Sequence, residues 1–95
     1  MRVRYTPRAE RDLARIVSYL DERAADVTPQ VVRRIRERAT QLTDFPFMGP
    51  PTNRPGIRSL TVVPYPYKLY YRVGANEIAI LHIRDARRAP WKGAE

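Results

Sequence analysis

The sequence has no cysteine among its 95 residues. That excludes disulfide frameworks and thiolate metal sites, and it agrees with a reducing compartment. There is a single histidine, His82. Zinc hydrolases, histidine pairs and Ser/His dyads need more imidazole than that, or an unusual substitute. Long apolar runs are missing too. None approaches the roughly 20 residues of a membrane-spanning helix, and Met1–Arg4 lacks the apolar stretch of a secretory signal. The four glycines are scattered and form no phosphate-cradling loop. Negative charge is scarce, with 10 acidic residues against 18 basic ones. No two carboxylates have a spacing that suggests acid–base work. We therefore expect no metal, no cofactor, no membrane association and a cytoplasmic location.

What is present is cationic and regularly patterned. The net charge of +8 favours polyanionic partners: nucleic acid, ribosomes or an acidic protein. Hydrophobic residues make up 43% of the chain in periodic arrays, which argues against disorder. The length suits one domain spanning residues 1–95, able to bury about two-thirds of its unfolded surface.

Met1–Tyr5 alternates and reads as a short strand. Thr6-Pro7 is a helix start, a capping hydroxyl followed by proline at the first helical position. The helix runs to about Arg23, with Leu13, Ile16, Val17 and Leu20 on one stripe. Thr28-Pro29 repeats the start signal. It opens a second helix to about Thr43, with Val31, Val32, Ile35, Ala39 and Leu42 as its apolar side. The short link between them predicts an antiparallel helical hairpin. Asp44–Gly56 is a loop stiffened by Pro46, Pro50, Pro51 and Pro55. Strands are expected at Ile57–Val63, Tyr67–Val73 and Glu77–Arg84, the last two joined by a Gly74-Ala75-Asn76 turn. Pro64 and Pro66 predict a bent connection between the first two of these. The fold class is α+β, ordered β-α-α-β-β-β, with the hairpin on one face of a small, mainly antiparallel sheet. The other face is expected to be partly open.

The last strand is apolar on both faces, which places it centrally. Strict alternation puts Ile78, Ile80 and His82 on one face, and Ala79, Leu81 and Ile83 on the other. In the preceding strand, Tyr67, Leu69, Tyr71 and Val73 face the helices. Lys68, Tyr70 and Arg72 face away. Arg58, Arg84, Arg87, Arg88 and Lys92 are expected around that second row. Arginine with tyrosine suits phosphates, stacked bases or a protein hot spot; an ordinary solvated strand face would look the same. Trp91 fits either a contact residue or a ring folded back on the core edge, and packing is the simpler reading. His82 reads more simply as a hydrogen-bonded residue than as a base. Asp12 opposes the helix dipole, can pair with Arg8 or Arg15, and is assigned to structure.

Several stretches in order resemble the RelE/ParE superfamily of toxins. Ala9-x-x-Asp12-Leu13-x-x-Ile16-x-x-Tyr19 is similar to the family's first helix, and Phe45-Pro46-x-x-Gly49 to the turn after its second. Gly56-Ile57-Arg58 and Tyr67–Val73 resemble its sheet, and Ile78–Arg84 followed by Arg87-Arg88 its last strand and basic end. The resemblance implies the toxin of a type II toxin–antitoxin module, bound as a hetero-oligomer by a cognate acidic antitoxin. It further implies one of two mechanisms. RelE-like members cut mRNA on the ribosome with a basic cluster, which here would draw on Lys68, Arg84, Arg88 and His82. ParE-like, plasmid-stabilisation members lack that cluster and poison DNA gyrase. Here Ser59 and Thr61 stand where the ribonucleases carry lysines, Asp85 stands where many relatives place a histidine, and a C-terminal tyrosine is missing. The resemblance therefore leans to the ParE-like branch, with no catalytic residue. It would make Arg58, Lys68, Tyr70, Arg72, Arg84, Arg87, Arg88 and Trp91 the residues that bind the target.

Overall fold

A computed structural model describes residues 1–88 and Trp91. Its elements are β1 (Arg2–Tyr5), α1 (Pro7–Ala24), α2 (Thr28–Asp44), β2 (Arg58–Thr61), β3 (Tyr67–Val73) and β4 (Glu77–Asp85). This is the α+β order expected, and β4 is central: the sheet runs β1-β4-β3-β2. β1 pairs in parallel with β4, and the other neighbours are antiparallel.

Thr6 ends β1 and starts α1 in one step. Its backbone is extended, its hydroxyl accepts from the Ala9 N–H at 3.2 Å, and Pro7 follows. Its own N–H donates to the Ile80 carbonyl at 3.1 Å, which ties the helix start to β4. The matching signal at Thr28 works differently. Val27 is already in the right-handed helical region, φ −95° and ψ −12°, and makes no side-chain cap. A hydroxyl caps from an extended residue. The link at residues 25–27 is instead a near-helical turn closed by Val27 N–H to the Ala24 carbonyl at 3.0 Å. Thr28 is therefore drawn into the helix and buried, its hydroxyl unpartnered among the described residues.

β2 is shorter than its sequence suggests. The ladder stops at Thr61↔Lys68, and the Val62 N–H to Tyr67 carbonyl bond, 2.9 Å, closes the turn that carries Pro64 and Pro66. The core lies between hairpin and sheet: Ala9 and Leu13 from α1; Val31, Ile35, Ala39 and Leu42 from α2; Leu69, Tyr71, Ile78, Ile80 and Ile83 from the sheet. Tyr67, Leu69 and Tyr71 face the helices as alternation requires.

Alternation fails in β4. Tyr71 pairs with Ile80 but Tyr70 pairs with His82, so Leu81 is an extra residue, a β-bulge. The bulge resets the faces. Ile78, Ile80 and Ile83 all lie beneath the helices, whereas His82 turns to the opposite side with Tyr70. The expectation that His82 would share a face with Ile80, and Ile83 with Leu81, is corrected accordingly.

Candidate functional site

The two sides of β4 beyond Ile80 define the candidate site. β1 pairs only as far as Tyr5↔Ile80, so no strand covers the edge of β4 from Leu81 onward, where the Thr6 hydroxyl donates to the Leu81 carbonyl at 3.3 Å. α1 covers part of that edge with Asp12. The carboxylate is buried, 3% exposed, and its Oδ2 accepts the Ile83 backbone N–H at 3.0 Å and meets His82 Nδ1 at 2.5 Å. Arg8 Nε and Arg15 stand 3.6 and 3.7 Å from its other oxygen. An Arg8 nitrogen lies 3.4 Å from His82 Nε2. One tautomer satisfies all of this: Nδ1–H donates to Asp12 and Nε2 accepts from Arg8. Burial pushes the imidazole below its ordinary 6.5, outweighing the opposing pull of Asp12. His82 is neutral at pH 7, with both nitrogens engaged.

On the face turned from the helices, Trp91 packs edge-on against Tyr70 and His82, with ring centroids 5.2 and 5.0 Å away. Ile57 and Leu81 complete a second small apolar cluster. Trp91 is 9% and Tyr70 5% exposed, so the face expected to be open is covered at its centre. Its cations sit around that cover. Lys68 and Arg84 are directly opposite in register, and Arg72 pairs with Ala79. Like charges directly opposite repel, and among the described residues neither has a carboxylate partner on that face. The Nε of Arg84 is buried and unpartnered, as is the Trp91 indole N–H.

Arg58 is elsewhere. It pairs with Tyr71, which faces the helices, and donates to the carbonyls of Phe47 and Gly49 at 3.3 and 2.8 Å. It clamps the loop after α2 and does not join Lys68 and Arg72. Arg87 holds Asp85 with both Nε and a terminal nitrogen, at 2.9 and 2.5 Å, on the helix side of β4. That contact lowers the Asp85 carboxyl to about 2. Arg88 is exposed beside it. Pro90 and Lys92 lie outside the described residues. No group of His, Cys, Asp and Glu among the described residues could hold a metal ion.

Residues 3–90 match the model of the family described as ParE toxin of type II toxin–antitoxin system, parDE. The chain belongs to the ParE toxin family. It is 31% identical over 87 residues to a candidate toxin designated Y4kP from Sinorhizobium fredii, covering 92% of this chain and 90% of that one. Among solved structures it is similar to a chain of the chromosomal ParDE system of P. aeruginosa, with a TM-score of 0.82, 28% identity, and coverage of 92% and 97%. It is also similar to a chain of the RelBE2 toxin–antitoxin complex of Mycobacterium tuberculosis, with a TM-score of 0.65, 26% identity, and coverage of 87% and 94%. This ParE chain is thus a type II toxin. Its family pattern of Ala9, Asp12, Leu13, Ile16 and Tyr19 now has a physical basis at Asp12, which terminates the exposed edge of β4. Spacing alone missed the link to His82 because the two residues lie 70 positions apart.

Proposed function

We propose that this toxin inhibits growth by poisoning DNA gyrase and is neutralised by a cognate acidic antitoxin. The observation that carries the reading is the state of the groups a ribonuclease would need. The one imidazole is buried and bound on both nitrogens. Asp85, in the place of a histidine, is held ionised by Arg87 and has no proton to give at neutral pH. Ser59 and Thr61, paired with Tyr70 and Lys68, add no cation to the sheet face.

The target-binding set follows from exposure. Lys68, Arg72 and Arg84 are the cations around Tyr70 and Trp91, which form the platform between them, and Arg87 and Arg88 are exposed beside it at the end of β4. Arg58 supports the loop. The antitoxin partner is supported by both similar structures, which come from toxin–antitoxin systems, and by the charge of +8. A supercoiling assay with purified gyrase tests the proposal. Inhibition, lost on replacing Arg72 and Arg88 together by glutamine, is expected. Undiminished supercoiling at a large excess of toxin, with mRNA cleaved on ribosomes, would point to the RelE-like alternative through Lys68, Arg84, Arg88 and His82.

A further inference from the structure

The loop after α2 turns large apolar side chains outward. Phe45 is 64% and Phe47 65% exposed, and Met48 beside them is exposed as well. Apolar groups of this size, clustered at the surface of so short a segment, mark a contact surface. The backbone beneath them is fixed. The Tyr71 hydroxyl donates to the Pro46 carbonyl and accepts the Gly49 N–H. Arg58 donates to the carbonyls of Phe47 and Gly49, and its guanidinium lies 4.9 Å from the centre of the Phe47 ring. The loop is therefore held in place before any partner arrives, and little of its entropy is lost on binding. Beside Phe47 opens a notch of about 240 Å³, lined by Phe47, Pro51, Gly56, Ile57, Arg58 and Val73. It has room for an apolar side chain from a partner.

Charge identifies the occupant. No carboxylate among the described residues lines the notch. Arg58 makes no ion pair among the described residues; its printed bonds go to loop carbonyls. Exposed Arg72 places its Nε 3.7 Å from where a Cβ on Gly56 would stand, and Arg54 is exposed on the same loop. Asp44, at the end of α2, is the only acidic residue between positions 44 and 58. A second copy of this chain would bring like cations together and be repelled. A nucleic acid would meet walls of Pro51, Ile57 and Val73, which offer no side-chain hydrogen bond to a base edge. An acidic polypeptide with an apolar anchor meets both features.

We propose that this loop and notch dock an acidic segment of the antitoxin. One apolar side chain enters the notch beside Phe47, and flanking carboxylates meet Arg58 and Arg72. The inference rests on the antitoxin reading given above. Arg72 also belongs to the target-binding set, so an antitoxin seated here covers part of that set.

The test is calorimetric titration of the full-length toxin with the antitoxin of its own module, each purified separately. Phe47→Ala should weaken binding about tenfold or more, as the loss of an aromatic anchor does. Val63→Ser removes another exposed apolar side chain, beyond the far end of β2, and should change affinity by less than about threefold. Phe45→Ala serves as the second variant should Phe47→Ala lower the urea midpoint. Wild-type affinity in both phenylalanine variants overturns the docking surface and leaves the antitoxin reading standing, whereas an antitoxin that fails to bind the wild-type toxin overturns both. Three further results also overturn the proposal. A free toxin that is dimeric, and becomes monomeric in Phe47→Ala, assigns the patch to a second copy. Oligonucleotide binding lost in Phe47→Ala assigns it to nucleic acid. Full antitoxin affinity in Phe47→Ala with loss of gyrase inhibition assigns it to the target.

Discussion

Asp12 ties α1 to the end of β4 through a buried carboxylate. It substitutes for the strand that β4 lacks beyond Ile80, and it fixes the imidazole that supports Trp91. Removing one partner of a buried ionic cluster leaves the rest uncompensated. Asp12→Ala should cost about 3–5 kcal/mol in urea unfolding, and Asp12→Asn, which keeps an acceptor for the Ile83 N–H, should cost less. His82 sets a pH dependence. Burial lowers its folded pKa, against opposing help from Asp12 and with Arg8 and Arg84 acting in the same direction as burial. The unfolded chain then takes up a proton near 6.5 that the folded chain refuses. This stabilisation is complete above 6.5 and is lost as pH falls. The melting temperature should drop from pH 7.5 to pH 5, and His82→Gln should flatten the drop. A wild-type melting temperature that rises on acidification would contradict burial as the dominant influence.

The loop after α2 and the bulge of β4 show why some elements were legible and others not. Within the loop, Tyr71 reaches back to donate to the Pro46 carbonyl at 2.8 Å and accepts the Gly49 N–H at 3.1 Å. A methyl group at Gly49 would collide with the Ser59 carbonyl and lie 2.9 Å from the Tyr71 ring. Gly49→Ala should therefore destabilise by about 1–3 kcal/mol, the usual cost of overpacking, read as a lower urea midpoint at unchanged slope. β3 was readable at Tyr67–Val73 because one face is apolar throughout, and α1 because proline, a capping threonine and a 3.6-residue stripe agree. The bulge was not readable. Leu81 is apolar whichever way it points, so the inserted residue leaves no mark on a strand already apolar on both faces. The cover over Tyr70 was legible in part: Trp91 reads more simply as a packed ring than as a contact residue, and it is packed, but no local pattern states on which ring of the sheet it lands.

At the scale of the whole molecule, charge and surface decide how the toxin meets its partners. A body of +8 should attract an acidic antitoxin at a distance. The association rate should fall about tenfold or more between low and high salt, while the dissociation rate changes less; a salt-independent association rate would remove the steering idea. The central claim concerns the target, and the fold does not decide it, since RelE-like and ParE-like chains share the architecture. It rests on the buried, fully bonded His82, the ionised Asp85, and a cationic rim around Tyr70 and Trp91. The measurement that tests it most directly is pulse-labelling of DNA and protein synthesis side by side after tightly controlled induction of the toxin alone. The account predicts that DNA synthesis falls first while protein synthesis continues. Protein synthesis falling first would contradict it and assign the cationic rim to mRNA on the ribosome.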